Sequence, residues 1–126
     1  MSTMSKRNIV HVEIPAANVE AAGKFYQELL GWKISHDAEL NYAMWEAGDG
    51  SGGGFPEVSQ DAPAAHVLVY VHSDDIEADL KKVEELGGTV VQPKAEIPNT
   101  GWFGMFKDPT GNVIGLYTSM NPEVNQ

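Results

Sequence analysis

Two histidines and one glutamate stand out in this sequence because of their types and their places. His11 and Glu13 are two residues apart in the run Ile9–Ile14, whose alternating apolar and polar residues predict a β-strand. Side chains two residues apart on a strand project from the same face, so His11 and Glu13 are expected to lie together. His66 opens a second alternating run, 66–72. Two imidazoles with a carboxylate can hold a divalent metal or move a proton.

Each of these residues also has a purely structural interpretation. A histidine on a strand is often a partly buried residue that hydrogen-bonds to a neighbour, and this applies to His11 and His66. Glu13 would then pair with a histidine without doing chemistry. His36, in a polar segment, and His72, at the end of a strand, are expected at the surface. The sequence leaves these alternatives open.

The elements that position these residues follow from periodicity and capping. Asn18 is a candidate N-cap for a helix over 19–30, which Gly31 would end. In the second half, Asp74 or Asp75 is a candidate N-cap for a helix over 76–86, followed by two glycines. The remaining predicted elements are strands at 32–34, 42–46, 89–91, 102–106 and 113–118, a glycine-rich stretch at 48–55, and a loop with Pro93 and Pro98.

The order strand, helix and three strands thus occurs twice, and the two halves align with each other. Met44–Gly50 matches Met105–Gly111 without a gap, which indicates a duplicated unit. The predicted organisation is a single domain, 1–126, made of module 1 (8–58), a linker (59–64), module 2 (65–119) and a polar tail (120–126). Strand parity places one set of side chains on the face that the helices leave open: His11, Glu13, His66, Tyr70, Gly115 and Tyr117.

These features together resemble the vicinal oxygen chelate superfamily, which includes glyoxalases, bleomycin resistance proteins and extradiol dioxygenases. The resemblance rests on His11 in the first strand, Phe25-Tyr26 in the helix, Leu30-Gly31-Trp32 after it and the turn Asp108–Asn112. The sequence of Val10–Ala16 is most similar to that of a subgroup of short, glyoxalase-related members. The resemblance implies an α+β fold in which two tandem βαβββ modules form a curved mixed sheet with helices on the outer face. It also implies a homodimer.

The resemblance implies a divalent metal, either Zn, Ni, Mn or Fe, with His11 and His66 as ligands. The third ligand of the family, a glutamate on the last strand, corresponds to Gly115 in this sequence, and the equivalent position in the first half is Gly54. Glu13 is the candidate to complete the metal site or to act as the catalytic base. The residues expected to contact a substrate are Tyr70, Trp102, Gly115 and Tyr117.

Composition excludes several classes of function. The chain has 126 residues, a formal net charge of −10 and no cysteine. This charge repels nucleic acids and anionic membrane surfaces, and without cysteine there is no disulfide or thiolate site. The glycine-rich stretch lacks the ending of a phosphate-binding loop, so no nucleotide cofactor is expected. The absence of a long apolar run predicts a protein outside the membrane, with the cytoplasm as the expected location.

Three functions remain as hypotheses. The first is a metal-dependent lyase or isomerase that acts on a small oxygenated molecule through an atypical metal site. The second is a metal-free small-molecule binding protein of the bleomycin-resistance type, with acidic and aromatic walls. The third is a small structural or regulatory partner domain whose cavity is closed by side chains. The activities of glyoxalase I and of extradiol dioxygenases are disfavoured, because both rely on the carboxylate that Gly115 replaces.

Overall fold

The computed structural model describes residues 7–37, 39, 42–48, 50–60 and 62–120. The chain divides into two compact units, one over 10–68 and one that joins 69 onwards to the N-terminal segment ending at Ile9. The predicted tail, 120–126, lies outside the described residues except for Met120. In order, the elements are β1 (Ile9–Glu13), α1 (Val19–Leu30), β2 (Lys33–Asp37), β3 (Tyr42–Glu46), β4 (Gly52–Phe55), β5 (Leu68–His72), α2 (Ile76–Glu85), β6 (Thr89–Ile97), β7 (Gly101–Lys107) and β8 (Val113–Ser119).

The predicted fold class is confirmed, because each half of the chain is a βαβββ module. In the first module the strand order is β2-β3-β4-β1, and in the second it is β5-β8-β7-β6. The first strand of each module runs parallel to the last, and the other pairs are antiparallel. In each module the helix follows the first strand, and two antiparallel strands come before the last strand, which pairs with the first. Parallel strands need a long crossover connection of this kind. No helix in the described residues is long and apolar enough to cross a membrane.

Stacked aromatic rings form much of the core of the first module. Helix α1 begins where the Asn18 side chain accepts a hydrogen bond from the N–H of Ala21, and it ends at Gly31 in the left-handed conformation. Its buried face covers the sheet, where Trp45 is 7% exposed and Phe55 is fully buried. The stacked pairs are Trp32 on Trp45 at 4.0 Å, Tyr26 on Trp32 at 5.3 Å and Tyr26 on Phe55 at 5.4 Å between ring centroids. Such pairs stabilise the core beyond the area they bury.

The second module has a smaller, mainly aliphatic core. Asp75 caps helix α2 by accepting a hydrogen bond from the N–H of Ala78. Ile76 and Leu80 on the helix pack against Leu116 of β8, and all three are less than 7% exposed. The helix therefore lies over one face of its sheet and leaves the opposite face free of helix contacts.

The structure differs from the sequence predictions along β6 and at His72. Strand β6 continues to Ile97, beyond the predicted end at residue 91 and through Pro93. A proline is tolerated there because β6 is the edge strand of this module and its pairing shifts register on either side of Gln92. The surface position expected for His72 is wrong, since the residue is 5% exposed and its Nε2 lies 2.8 Å from an oxygen of Asp74.

A polar network holds the N-terminal segment on the second module. Arg7 makes two hydrogen bonds to the carboxylate of Asp79, at 2.6 and 3.0 Å, and the fully buried Ser73 donates a third at 2.6 Å. The backbone N–H of His72 donates to the carbonyl of Asn8 at 2.9 Å. The hydrogen bonds from Arg7 outweigh desolvation and hold the pKa of Asp79 below its ordinary value.

Arg7→Ala is expected to lower the free energy of unfolding at pH 7 by about 1 kcal/mol, because the Arg7 side chain is 54% exposed and solvent screens its ion pair. Since the folded pKa of Asp79 is depressed, the stabilisation is present above the unfolded pKa and is lost as pH falls below about 4. Urea denaturation at pH 7 and pH 3 checks both statements. Lys24→Ala, which removes a largely exposed helix pair with Glu28, is the control. If Arg7→Ala lowered the free energy of unfolding equally at both pH values, the role assigned to Asp79 would be contradicted.

Candidate functional site

The candidate site lies on the face of the first module that α1 does not cover. Alternation along β3 places Ala43 and Trp45 against the helix, so Tyr42 and Met44 point to the opposite face. The same alternation on β1 places Val12 in the core, and it directs His11 and Glu13 to the side of Tyr42. This confirms that His11 and Glu13 share one face.

The Tyr42 hydroxyl joins the two residues from β1. It donates a hydrogen bond to Glu13 Oε2 at 3.1 Å, and it lies 3.0 Å from His11 Nε2. The direct distance from His11 Nε2 to Glu13 Oε2 is longer, at 3.7 Å. The His11 and Glu13 side chains are 26% and 21% exposed, so a small molecule from solvent can reach this cluster. We refer to His11, Tyr42 and Glu13 as the tyrosine cluster.

The contacts of the tyrosine cluster can form one continuous chain of hydrogen bonds. A tyrosine hydroxyl has a single proton, and here that proton is donated to Glu13. The hydroxyl oxygen can then accept a hydrogen bond from His11 in the tautomer that carries a proton on Nε2. In that tautomer the three groups form a directed chain from imidazole N–H to hydroxyl to carboxylate.

Tyr42 can occupy this position because residue 54 is glycine. Gly54 is paired with Glu13 on one side and with Met44 on the other. A Cβ at residue 54 would overlap the hydroxyl and Cζ of Tyr42 and would lie 2.8 Å from its Cε2. The tyrosine ring thus lies directly over the backbone of β4, in the space that any larger side chain would need.

The second module fills the equivalent space from a different strand. Gly115 is the counterpart of Gly54, and it pairs with Tyr70 of β5. A Cβ at residue 115 would lie 2.6 Å from Tyr70 Cε2 and closer still to Cδ2. Tyr70 is at the position equivalent to Glu13, whereas the counterpart of Tyr42 is Phe103. The two modules therefore cover equivalent glycines with rings from non-equivalent strands.

The structure places the other predicted site residues as follows. Tyr117 pairs with Phe103, so these two side chains share the face that carries Tyr70, and Phe103 was not among the residues predicted from the sequence. Its alignment with Tyr42 in the internal repeat was the signal that could have found it. Trp102 lies on the opposite face, packed against the core under α2, with Lys94 Nζ 5.5 Å from its ring centroid. It does not share a face with the expected contacts Tyr70 and Tyr117.

His66 precedes β5 instead of opening it. Its backbone N–H donates to the carbonyl of Pro63 at 3.3 Å, and Ala65 has a positive φ of 68°. The turn delays the strand until Leu68, two residues later than the alternating pattern predicted, and His66 is exposed. The structure does not include His66 in the tyrosine cluster.

The fold and the sequence indicate the same protein family for this chain. The family model of the "Glyoxalase/Bleomycin resistance protein/Dioxygenase superfamily" matches residues 8–116. The chain belongs to this superfamily. Its predicted family is thereby confirmed, and the match covers both modules.

Relatives in the superfamily resemble the chain to different extents. The protein "Putative glyoxylase CFP32" of Mycobacterium bovis and Mycobacterium tuberculosis is 32% identical over 97 residues, which are 73% of this chain and 36% of that protein. The chain therefore spans about a third of the length of those relatives. A "Glyoxylase-like domain-containing protein" of Didymella fabae is 28% identical over 115 residues, covering 85% of this chain and 90% of the relative.

Solved structures of the superfamily share the fold at low sequence identity. Methylmalonyl-CoA epimerase from Mycobacterium tuberculosis superposes with a TM-score of 0.72 at 14% identity, covering 100% of this chain and 97% of that one. A variant of the epimerase from Streptomyces coelicolor, in complex with 2-nitronate-propionyl-CoA, gives a TM-score of 0.66 at 17% identity, covering 94% and 100% of the two chains. At these identities the comparison supports the architecture.

The donor set of the described residues does not fit the three-ligand metal site that the superfamily resemblance implies. Among the residues that the structure describes, no group of three His, Asp or Glu side chains is arranged to hold a metal ion. Gly54 and Gly115 offer no carboxylate, and tyrosine rings take the space that one would need. His11 Nε2 is within hydrogen-bonding distance of the Tyr42 hydroxyl. These residues are arranged as a hydrogen-bonded cluster.

Gly115→Ala is expected to lower the free energy of unfolding by about 1–3 kcal/mol, because the added methyl group meets the ring of Tyr70. In a Tyr70→Ala background the same change should cost less than about 1 kcal/mol, since the obstructing ring is gone. Chemical denaturation of the four proteins in this double-mutant cycle measures the difference. Gly48→Ala is the control because a Cβ there has no atom within 4 Å. Equal costs in both backgrounds would show that Tyr70 is not the obstacle.

Proposed function

We propose that the chain is an isomerase or lyase that moves a carbon-bound proton in a small molecule with oxygens on adjacent carbons, and that Glu13 is the base. The observation that carries the proposal is the Tyr42 hydroxyl, which is hydrogen-bonded to both Glu13 and His11. A carboxylate beside two hydrogen-bond donors is the combination that enolate formation needs. The cluster is partly exposed, so a substrate can approach it.

The reaction uses each group of the tyrosine cluster once. Glu13 takes the proton from the carbon that bears a hydroxyl, and the C–H electron pair becomes a carbon–carbon double bond while the adjacent carbonyl oxygen gains negative charge. Protonated Glu13 is a weaker acceptor than the carboxylate, so the Tyr42 hydroxyl donates to the new oxyanion instead. His11 donates to the Tyr42 oxygen and makes the hydroxyl a stronger donor.

The fate of the intermediate decides between isomerase and lyase. If the remaining hydroxyl proton of the intermediate moves to the oxyanion and Glu13 returns its proton to the neighbouring carbon, the carbonyl and hydroxyl exchange places. If the intermediate expels a group from the next carbon, the product is that of a lyase. The superposition on methylmalonyl-CoA epimerases, which belong to the isomerase class, supports the first outcome. Every step uses only side chains of the tyrosine cluster, in keeping with the donor set of the chain.

Hydroxyacetone in D₂O is a suitable probe, because exchange of its hydroxymethyl protons reports enediol formation directly by NMR. Glu13→Gln should slow the catalysed exchange by about 100-fold or more, since it removes the base. Tyr42→Phe should slow it by about 10- to 100-fold, because one donor to the oxyanion is lost. Glu46→Gln is the matched control, as Glu46 is an exposed carboxylate on the same face of β3.

These measurements are made with a chelator present. An exchange rate that survives Glu13→Gln would contradict the proposal. So would exchange that stops in the chelator and returns with Zn²⁺ or Ni²⁺, because that result would show that a metal, and not the tyrosine cluster alone, stabilises the oxyanion.

A second candidate is a metal-free binding protein for a planar, cationic molecule. The observation that favours it is the aromatic surface of the second module, where Tyr70 lies over Gly115 and Phe103 pairs with Tyr117. The net charge of −10 attracts a cation, and aromatic faces favour a planar one.

Proflavine, a planar aromatic cation, tests the second candidate by fluorescence polarisation. Tyr70→Ala should weaken its binding about threefold to tenfold, since one stacking surface is lost. Phe25→Ala, which removes an aromatic ring that is 59% exposed on α1, is the control and should leave binding unchanged. Equal losses for the two variants, or no binding by the parent protein, would exclude this function for Tyr70.

A further inference from the structure

The second module contains a cavity of about 320 Å³ that neither the tyrosine cluster nor the aromatic surface uses. It lies between α2, the end of β7, the turn that follows β7, and the middle of β8, and we call it the α2 cavity. Its apolar lining consists of Val83, Leu86, Phe106, Pro109 and Leu116. This volume is within the range of small-molecule sites, which are typically apolar with a few polar groups.

Leu86 marks the α2 cavity as a site that solvent can reach. It is 69% exposed, the highest exposure among the large apolar side chains that the structure describes. Leu116 at the other side of the lining is only 5% exposed. The apolar lining therefore runs from the surface into the core of the module, and a ligand that covers Leu86 would remove apolar area from water.

The charges around the α2 cavity favour an anion. Three of the eight basic residues of this acidic chain line it, namely Arg7, Lys82 and Lys107. Arg7 is held by Asp79, and Asp108 accepts hydrogen bonds from the N–H groups of its own turn at 2.9–3.0 Å. Within the described part of the chain, Lys82 and Lys107 form no ion pair. Two lysine charges are thus available beside an apolar lining.

We propose that the α2 cavity binds a small carboxylate with an apolar chain. The apolar lining would cover the chain, while Lys82 and Lys107 would attract the carboxylate. The five charged groups that line the cavity sum to a single positive charge, which matches a monoanion. The net charge of −10 disfavours ligands with several negative charges. This site is separate from the proposed function, since it shares no residue with the tyrosine cluster.

Octanoate is the probe for the α2 cavity, with 1-octanol, octylamine and butanoate as comparison compounds, and calorimetry and amide chemical shifts as the measurements. Octanoate should bind at least about fivefold more tightly than octanol or octylamine, because only octanoate provides the anion. Affinity should rise by about three- to fourfold per methylene group from butanoate to octanoate, as each one is buried. The shifts should be centred on Val83, Leu86 and Phe106.

Three variants locate the binding. Lys82→Met and Lys107→Met should each weaken octanoate binding by about fivefold or more. Lys81→Met is the matched control, because Lys81 precedes Lys82 on the same helix but does not line the cavity. Leu86→Glu should abolish binding while the protein stays folded, since this side chain is largely exposed. Equal affinity for octanoate and octylamine, equal effects of the Lys81 and Lys82 variants, or binding that survives Leu86→Glu would each overturn the proposal.

Discussion

The tyrosine cluster depends on one close contact, the ring of Tyr42 lying over the backbone of Gly54. Without a side chain at residue 54, the ring crosses β4 and its hydroxyl reaches the residues of β1. The strand register makes this contact possible, because Ala43 pairs with Phe55 and both are fully buried on the other face. A shift of one residue along β3 would exchange the two faces and would bring Tyr42 into the core.

The core under α1 keeps that register in place. Trp45, two residues after Ala43, stacks on Trp32, which stacks on Tyr26 of the helix. Large stacked rings leave few alternative arrangements, since the interior of a protein is closely packed. The tyrosine cluster is therefore built on strands whose opposite face is closely packed, and this is the support that its proposed catalytic role needs.

The two modules show how one duplicated unit can diverge at equivalent positions. Gly54 and Gly115 correspond to each other, and both lie under a tyrosine ring. In the first module the ring comes from β3, which leaves Glu13 free to serve as an acceptor on β1. In the second module Tyr70 occupies the position of Glu13 and covers the glycine itself. Thus both modules retain the superfamily fold, while the side chains on the sheet face that the helix leaves uncovered differ between them.

Much of the fold could be predicted from the sequence, because hydrophobic periodicity and helix caps are local signals. The alternation in β1 places His11 and Glu13 on one face, and Asn18 and Asp75 determine where the helices begin. Local signals were insufficient at His66, where a turn delays β5. They were also insufficient along β6, where pairing with β7 extends the strand beyond its predicted end.

The sequence by itself determined the superfamily, the two modules and the residues that the first strand presents. Only the tertiary structure decided that Tyr42 joins Glu13 to His11, because these groups come from different strands and no spacing along the chain relates them. It also decided that a tyrosine ring covers each of the two glycines, since that depends on which neighbouring strand supplies the ring. Contacts of this kind arise from strand pairing, which brings together residues that are distant along the chain.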